Sequence, residues 1–281
     1  MFAKVALLLS IAVAARGQEN KRVLAITAQC GDYLVGGGGT IASLAGRGYE
    51  VTVIQVTNDE KNSLDLGPAE TSKANMDEGR QAAKVLGARE VLFLGHKAGE
   101  LGYISSTELR QELFGLIRYF KPRILFIPDP YLHYDENRDR FYAGKAAEEA
   151  WGYSGGGTFS PDLNRMGIRP YGAPEIYYYA AQRPYRPGEG GDEKAQFRPV
   201  DITAVFEKKL EAILTLKTTN RVYASRTSRK TSPDDFMRAY VEELASTIGR
   251  KHGFRYGEEF NYVGVEEGLP AHVKQRAVKK Q

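Results

Sequence analysis

A chain of 281 residues, 42% hydrophobic and 26% charged, has enough apolar material for one large core, which excludes a fibrous or structureless protein. Its formal charge is +4, and with Lys4 and Arg16 assigned to a leader the 39 basic residues become 37 against 35 acidic. So even a balance gives no reason to invoke a nucleic-acid partner, and the single cysteine, Cys30, excludes an internal disulfide.

Met1 to Gly17 has the build of a secretory signal: Lys4, the apolar run Val5 to Ala15, and small residues at Ala12 and Ala14 suited to cleavage. The expectation is an exported chain, periplasmic or secreted, whose mature part begins between Ala15 and Gln18. The apolar run is well short of the ~20 residues that cross a bilayer, so no stable membrane anchor is expected.

Val23 to Ala28 is a short apolar run that reads as a buried parallel strand. A polar, Gly-rich loop is predicted next, then a helix from about Gly39 to Ala45 and a second β-branched strand, Val51 to Val56. In an open parallel sheet ligands sit outside the carboxyl ends of the strands, which puts Gln29, Cys30, Gly31, Asp32 and Tyr33 where chemistry is expected. Asn58 to Ser72 reads as a loop, and Thr71 or Ser72 as the cap of a helix reaching Leu86 with Gly87 as its stop. Val91 to Leu94 is a third strand. Leu109, Leu113, Leu116, Ile117 and Phe120 recur at helical spacing ahead of Pro122, and Ile124 to Ile127 is a fourth strand.

Pro128 to Ala150 leaves that strand as a polar loop and becomes an Ala-rich helix, so its loop faces the same end of the sheet as Gln29 to Tyr33. Ile176 to Ala181 reads as the last core strand. Gln182 to Pro199, rich in proline and glycine, reads as a surface flap, either a lid or an ordinary loop. A helix is predicted near Ala204 to Lys217, and Arg221 to Ser232 reads as a solvated basic loop. Trp151, Tyr153 and Tyr177 to Tyr179 supply aromatics for the core or for stacking on a sugar ring.

The opening unit, with its strand, loop, Gly-Gly turn and helix, resembles the start of the PIG-L/LmbE-like zinc N-deacetylases. Glu78, the run Ala82 to Gly87, Phe93-Leu94-Gly95 with Gly99, Val200 to Thr203, and Tyr256, Glu258 and Phe260 extend the resemblance over roughly Arg22 to Tyr262. It implies an α/β, Rossmann-like three-layer fold with a mostly parallel sheet. One domain is expected over residues 18 to 265, with a basic tail over 266 to 281. It also implies the family reaction, zinc-dependent hydrolysis of an acetamido group on N-acetylglucosaminyl substrates.

The chemistry of that family is not reproduced. Where its first loop has His, Pro, Asp, Asp, Glu, this chain has Gln29, Cys30, Gly31, Asp32, Tyr33; the His and second Asp are zinc ligands and the first Asp is the base. Its His-Pro-Asp-His, anchored on Gly144, falls on Asn137, Arg138, Asp139, Arg140, so the third ligand is Arg140. The expected pocket is therefore Gln29, Cys30, Asp32, Asp129, Asn137, Asp139 and Arg140, with no metal, no confident catalytic residue and no cofactor.

A guanidinium cannot coordinate a metal. Arg140 is instead expected within hydrogen-bond reach of Asp32 or Asp139, either as an internal plug or as a fork for an anion, and the ligand as an amino sugar or an anionic small molecule. The alternative is an active amide hydrolase with zinc on Asp32, His96 and His133. His252 and His272 read as solvent-facing. The glycine run with Thr40, Ile41, Ala42 and Asp59 is a weak match to a dinucleotide fingerprint, and Cys30 has no local His to make it a nucleophile.

Overall fold

The computed structural model describes residues 20–132, 135–181, 197–227 and 231–264. In chain order the first half runs β1 (Arg22–Thr27), α1 (Asp32–Gly46), β2 (Glu50–Thr57), α2 (Pro68–Leu86), β3 (Glu90–His96), α3 (Ser106–Phe120), β4 (Ile124–Pro128) and α4 (Arg138–Ser154). It continues with α5 (Pro161–Arg165), β5 (Glu175–Tyr179), β6 (Arg198–Asp201), α6 (Phe206–Leu214), α7 (Lys217–Ser225), α8 (Pro233–His252) and β7 (Gly257–Val263). The segments expected to be a leader and a basic tail, and nearly all of the expected flap, lie outside the described residues. Among the described residues no helix is long and apolar enough to cross a membrane.

The sheet order is β3-β2-β1-β4-β5-β7-β6. The first five strands pair in parallel, and β7 pairs antiparallel with both β5 and β6. Strands covered on both faces need apolar residues throughout, and β1 divides its own: Val23 and Ala25 pack with α1, α2, α6 and α8, while Leu24 and Ile26 pack with α3 and α4. The result is the expected three-layer α/β arrangement. Strand order reverses between β1 and β4, which is where such sheets open a ligand crevice.

Two sequence expectations are corrected here. The glycine run is not a loop: Gly36 to Gly39 lie inside α1, which begins at Asp32. Glycine is a poor helix former, but Gly36 and Gly39 have no space for a side chain. A Cβ on Gly36 would lie 2.7 Å from the Tyr179 ring, and one on Gly39 2.8 Å from Ile202. Ile176 to Ala181 is likewise not the last core strand, because β7 enters the sheet beside it and carries the buried Phe260.

Smaller shifts have local causes. α2 starts a turn earlier than Thr71, since Pro68 suits the first helical position and Glu70 reaches back to the Gly67 N–H at 3.2 Å. The basic stretch from Arg221 begins as the last turn of α7. Tyr177 to Tyr179 are core residues of β5, with the Tyr179 hydroxyl donating to the Ile26 carbonyl at 2.9 Å, so they are not a sugar platform. His252 is not solvent-facing either: it lies 3.1 Å from the buried Glu259 carboxylate.

Candidate functional site

The site begins where β1 ends. Thr27 donates its hydroxyl to the Gln29 carbonyl at 2.6 Å, and the Gln29 N–H donates to Asp32 Oδ2 at 3.0 Å. This tight turn starts α1 with a carboxylate at its first residue, where the helix dipole favours negative charge. Across the crevice, Asn137 caps α4 by accepting from the Asp139 N–H at 3.0 Å, and Asp135 accepts from the Asn137 N–H at 2.9 Å. Gly144 lets α4 lie against the end of β4, because a Cβ there would collide with the Pro128 carbonyl.

Arg140 stands on the first turn of α4, and its side chain turns back over that turn, as helical side chains do. Nη1 donates to Asp32 Oδ1 at 3.0 Å, Nε donates to both Asp135 oxygens at 3.0 Å, and Nη2 lies 2.7 Å from Asp135 Oδ1. The side chains of Asp32, Asp135 and Arg140 are only 1%, 10% and 13% exposed, so bulk water screens them little. Burial pushes the Asp32 carboxyl above its usual range while Arg140 pulls it back. Burial also works against the Arg140 charge, but Asp32 and Asp135 outweigh it and hold the guanidinium protonated.

Above this pair opens a cavity of about 290 Å³. Of the residues expected to form it, Gln29, Asn137, Asp139 and Arg140 line it, and Asp32 lies beneath Arg140. Two expectations are corrected. Cys30 is fully buried behind the loop, 3.7 Å from the Thr219 hydroxyl, and burial and then Asp59 push its thiol well up, so it is an inert packing residue. Asp129 turns toward Tyr131 and Asn261, outside the cavity. Asp139 bonds the N–H groups of Gly99 and Leu101 and leaves Arg140 to Asp32 and Asp135.

The sequence reading missed the cavity's other wall. Lys61 and Asn62 come from the loop after β2, Tyr223 and Arg226 from α7 and its end, and Tyr240 from α8. Tyr223 and Arg226 belong to the Arg221 to Ser232 stretch, which the sequence reads as a solvated basic loop. A larger groove of about 890 Å³ on α3 and α5, with Leu116, Tyr119, Leu163 and Ile168 among its lining residues, lies away from these polar groups.

The three positions that hold zinc in the resembled family present here an amide (Gln29), a carboxylate already bound to a cation (Asp32), and that cation (Arg140). They do not fit a dication, which needs three ligands with free lone pairs. The rearranged set fares no better. His96 Nε2 is 2.7 Å from Glu112 on α3, Asp32 is taken by Arg140, and His133 lies outside the described residues. Among the described residues no three His, Cys, Asp or Glu side chains converge on a metal position.

Fold and crevice together define a Rossmann-like α/β protein with a polar cavity at the β1–β4 switch point. Residues 24–151 match the family model described as PIG-L, GlcNAc-PI de-N-acetylase. The diacetylchitobiose deacetylase of Thermococcus kodakarensis is 27% identical over 248 residues, 86% of this chain and 83% of that protein. The solved N,N'-diacetylchitobiose deacetylase of Pyrococcus horikoshii superposes with a TM-score of 0.73 at 27% identity, covering 95% of this chain and 94% of its own. A 4-oxalmesaconate hydratase of Pseudomonas putida is 26% identical over 216 residues, 70% of this chain and 76% of that protein. The chain is thus similar to the PIG-L family, with the model match confined to residues 24–151.

Proposed function

We propose that this PIG-L-like chain is a binding protein without deacetylase activity, whose former catalytic crevice holds a small polar ligand. The observation that carries the reading is the Arg140 guanidinium, 3.0 Å from Asp32 and 2.7 Å from Asp135, at the place the family gives to a metal ligand. Zinc-assisted amide hydrolysis needs a metal-bound water and a base beside it. Here the base position is Gly31, which has no side chain to take a proton, and the cation at Arg140 repels a second cation.

What remains is a shaped, partly enclosed crevice with polar side chains converging on it, which is what small-molecule recognition requires. The hydratase among the relatives supports a frame that is not tied to deacetylation. The purified mature protein is expected to release no acetate from N-acetylglucosamine or diacetylchitobiose above a heat-denatured control, with or without added zinc. Acetate release that is abolished by a chelator and restored by zinc would replace this reading with that of an active amide hydrolase.

A further inference from the structure

The chemical class of the ligand can be read from which polar groups of the cavity are already committed. Its acceptors are mostly taken. Asp32 and Asp135 are bound by Arg140, and Asp139 by the backbone of Gly99 and Leu101. Its donors are mostly free. A guanidinium has five N–H groups, and these contacts occupy Nε and one hydrogen each on Nη1 and Nη2, which leaves one on each terminal nitrogen. Among the described residues, the Gln29 amide and the hydroxyls of Tyr223 and Tyr240 have no hydrogen-bond partner, and Asn137 uses its oxygen for the cap, leaving its NH₂ group. At the mouth, Lys61 pairs with Glu100 at 3.6 Å, and Arg226 pairs with Glu136 at 3.5 Å and lies 5.4 Å from the Tyr223 ring centroid; both carboxylates are on exposed side chains.

A donor-rich cavity is complementary to an acceptor-rich ligand, and charged N–H groups that remain on a guanidinium favour a carboxylate. The surrounding charge decides between kinds of anion. Asp32, Asp135, Asp139 and Glu136 outnumber Lys61, Arg140 and Arg226, so repulsion grows with the ligand's charge and weighs against a dianionic phosphate more than against a monoanion. The volume is at the lower limit for ligand pockets and suits a single ring, with Tyr223 and Tyr240 as its aromatic wall.

Building on the binding reading above, we propose that the crevice binds a hydroxylated six-membered ring bearing one carboxylate, a sugar acid of the uronate class. Its carboxylate accepts from the N–H groups that Arg140 keeps on its terminal nitrogens, and its hydroxyls accept from Gln29, Asn137 and Tyr223.

Isothermal titration of the full mature chain with D-glucuronate, D-glucose, N-acetylglucosamine and glucose 6-phosphate tests this. Glucuronate is expected to bind roughly tenfold or more tightly than glucose or the phosphate, the contribution of one charge-assisted pair. Tyr223→Phe and Gln29→Ala, which leave the Arg140 ion pairs intact, are expected to weaken glucuronate about three- to tenfold each with unchanged circular dichroism and melting temperature. Glucose or N-acetylglucosamine binding as tightly as glucuronate would overturn the acid selectivity while leaving the binding reading in place. No glucuronate binding at about 10 mM, or binding indifferent to both variants, would overturn the proposal outright. Zinc-dependent acetate release from N-acetylglucosamine would instead remove the reading on which it rests.

Discussion

Replacing Lys209 by Met is expected to lower the unfolding free energy by about 3–5 kcal/mol, a large share of what a domain has to lose. Lys209 and Glu258 are each 2% exposed and 2.7 Å apart. The ammonium also donates to the Val35 carbonyl at 2.7 Å. The carboxylate accepts from the N–H groups of Gly39 and Thr40 at 2.8 Å and from the Thr40 hydroxyl at 2.6 Å. Val35 O and Gly39 N–H are the two ends of one helical rung, so the ion pair sits on α1 at that rung, and the absence of side chains on Gly36 to Gly39 makes the approach possible. Met at 209 leaves the Glu258 charge buried with the Gly39 and Thr40 N–H groups and the Thr40 hydroxyl but no counter-charge. Glu258→Gln is expected to cost about as much, because its NH₂ would face donors. The double replacement is expected to cost less than the sum, since neither partner is then left charged alone. Urea midpoints of the four proteins measure this, and a single variant within about 0.5 kcal/mol of wild type, as for a surface position, would contradict it.

Asp59→Asn is expected to act in the opposite direction, stabilising the protein at neutral and alkaline pH. Asp59 follows β2, is completely buried, and holds a left-handed backbone conformation with φ of 53°. That geometry is held by the Thr57 hydroxyl, which accepts from the Asp59 N–H at 3.3 Å, and by Asn75, whose amide donates to the Asp59 carbonyl at 3.0 Å. One carboxyl oxygen accepts from the Cys30 N–H at 3.4 Å and the other has no partner. Burial pushes the carboxyl up to about 7, with the Asp32 charge adding to the shift.

The folded chain then holds a proton on Asp59 that the unfolded chain has already lost, so stability falls as pH rises from about 4 to about 7 and is level above that. At 1.36 kcal/mol per unit the loss amounts to roughly 4 kcal/mol by pH 8. Asparagine is nearly isosteric, tolerates the left-handed conformation, keeps an acceptor for Cys30 and carries no charge. The variant is expected to match wild type near pH 4, exceed it by roughly that amount at pH 8, and show a flatter stability profile between. Denaturation across pH 4 to 9 measures both profiles. A wild-type slope retained in the variant would assign it to another group.

The parts of the fold legible in the sequence are those where one physical requirement dominates. Continuous apolar runs such as Val23 to Ile26 and Ile124 to Ile127 have no alternative to a doubly covered strand, and all five parallel strands lie within a residue or two of their expected places. Gly36 to Gly39 misled because local propensity favours a loop, whereas the helix there is imposed by Tyr179, Ile202 and the Lys209–Glu258 pair, all more than a hundred residues away. In the site, the meeting of Arg140 with Asp32 followed from charge, since a carboxylate turned into the crevice needs a cation. Asp135 was harder to single out, because it is selected by the backward turn of the Arg140 side chain along α4. Tyr223 and Tyr240 were invisible for a different reason: they reach the cavity only because α7 packs between α2 and α8, a tertiary fact that no local pattern encodes.

Zinc content measured by inductively coupled plasma spectrometry, on wild type and on the Gln29→His, Gly31→Asp, Arg140→His variant, tests the central claim most directly. The variant restores the family's two histidines and its base, and a Cβ on Gly31 meets nothing nearer than Leu216 at 3.4 Å. Wild type is expected to carry no stoichiometric zinc after purification in zinc-supplemented medium, and the triple variant to bind zinc stoichiometrically through both histidines and Asp32. Stoichiometric zinc on wild type that resists dialysis would contradict the account, and a folded triple variant that binds none would show that Gln29, Asp32 and Arg140 do not mark the metal position.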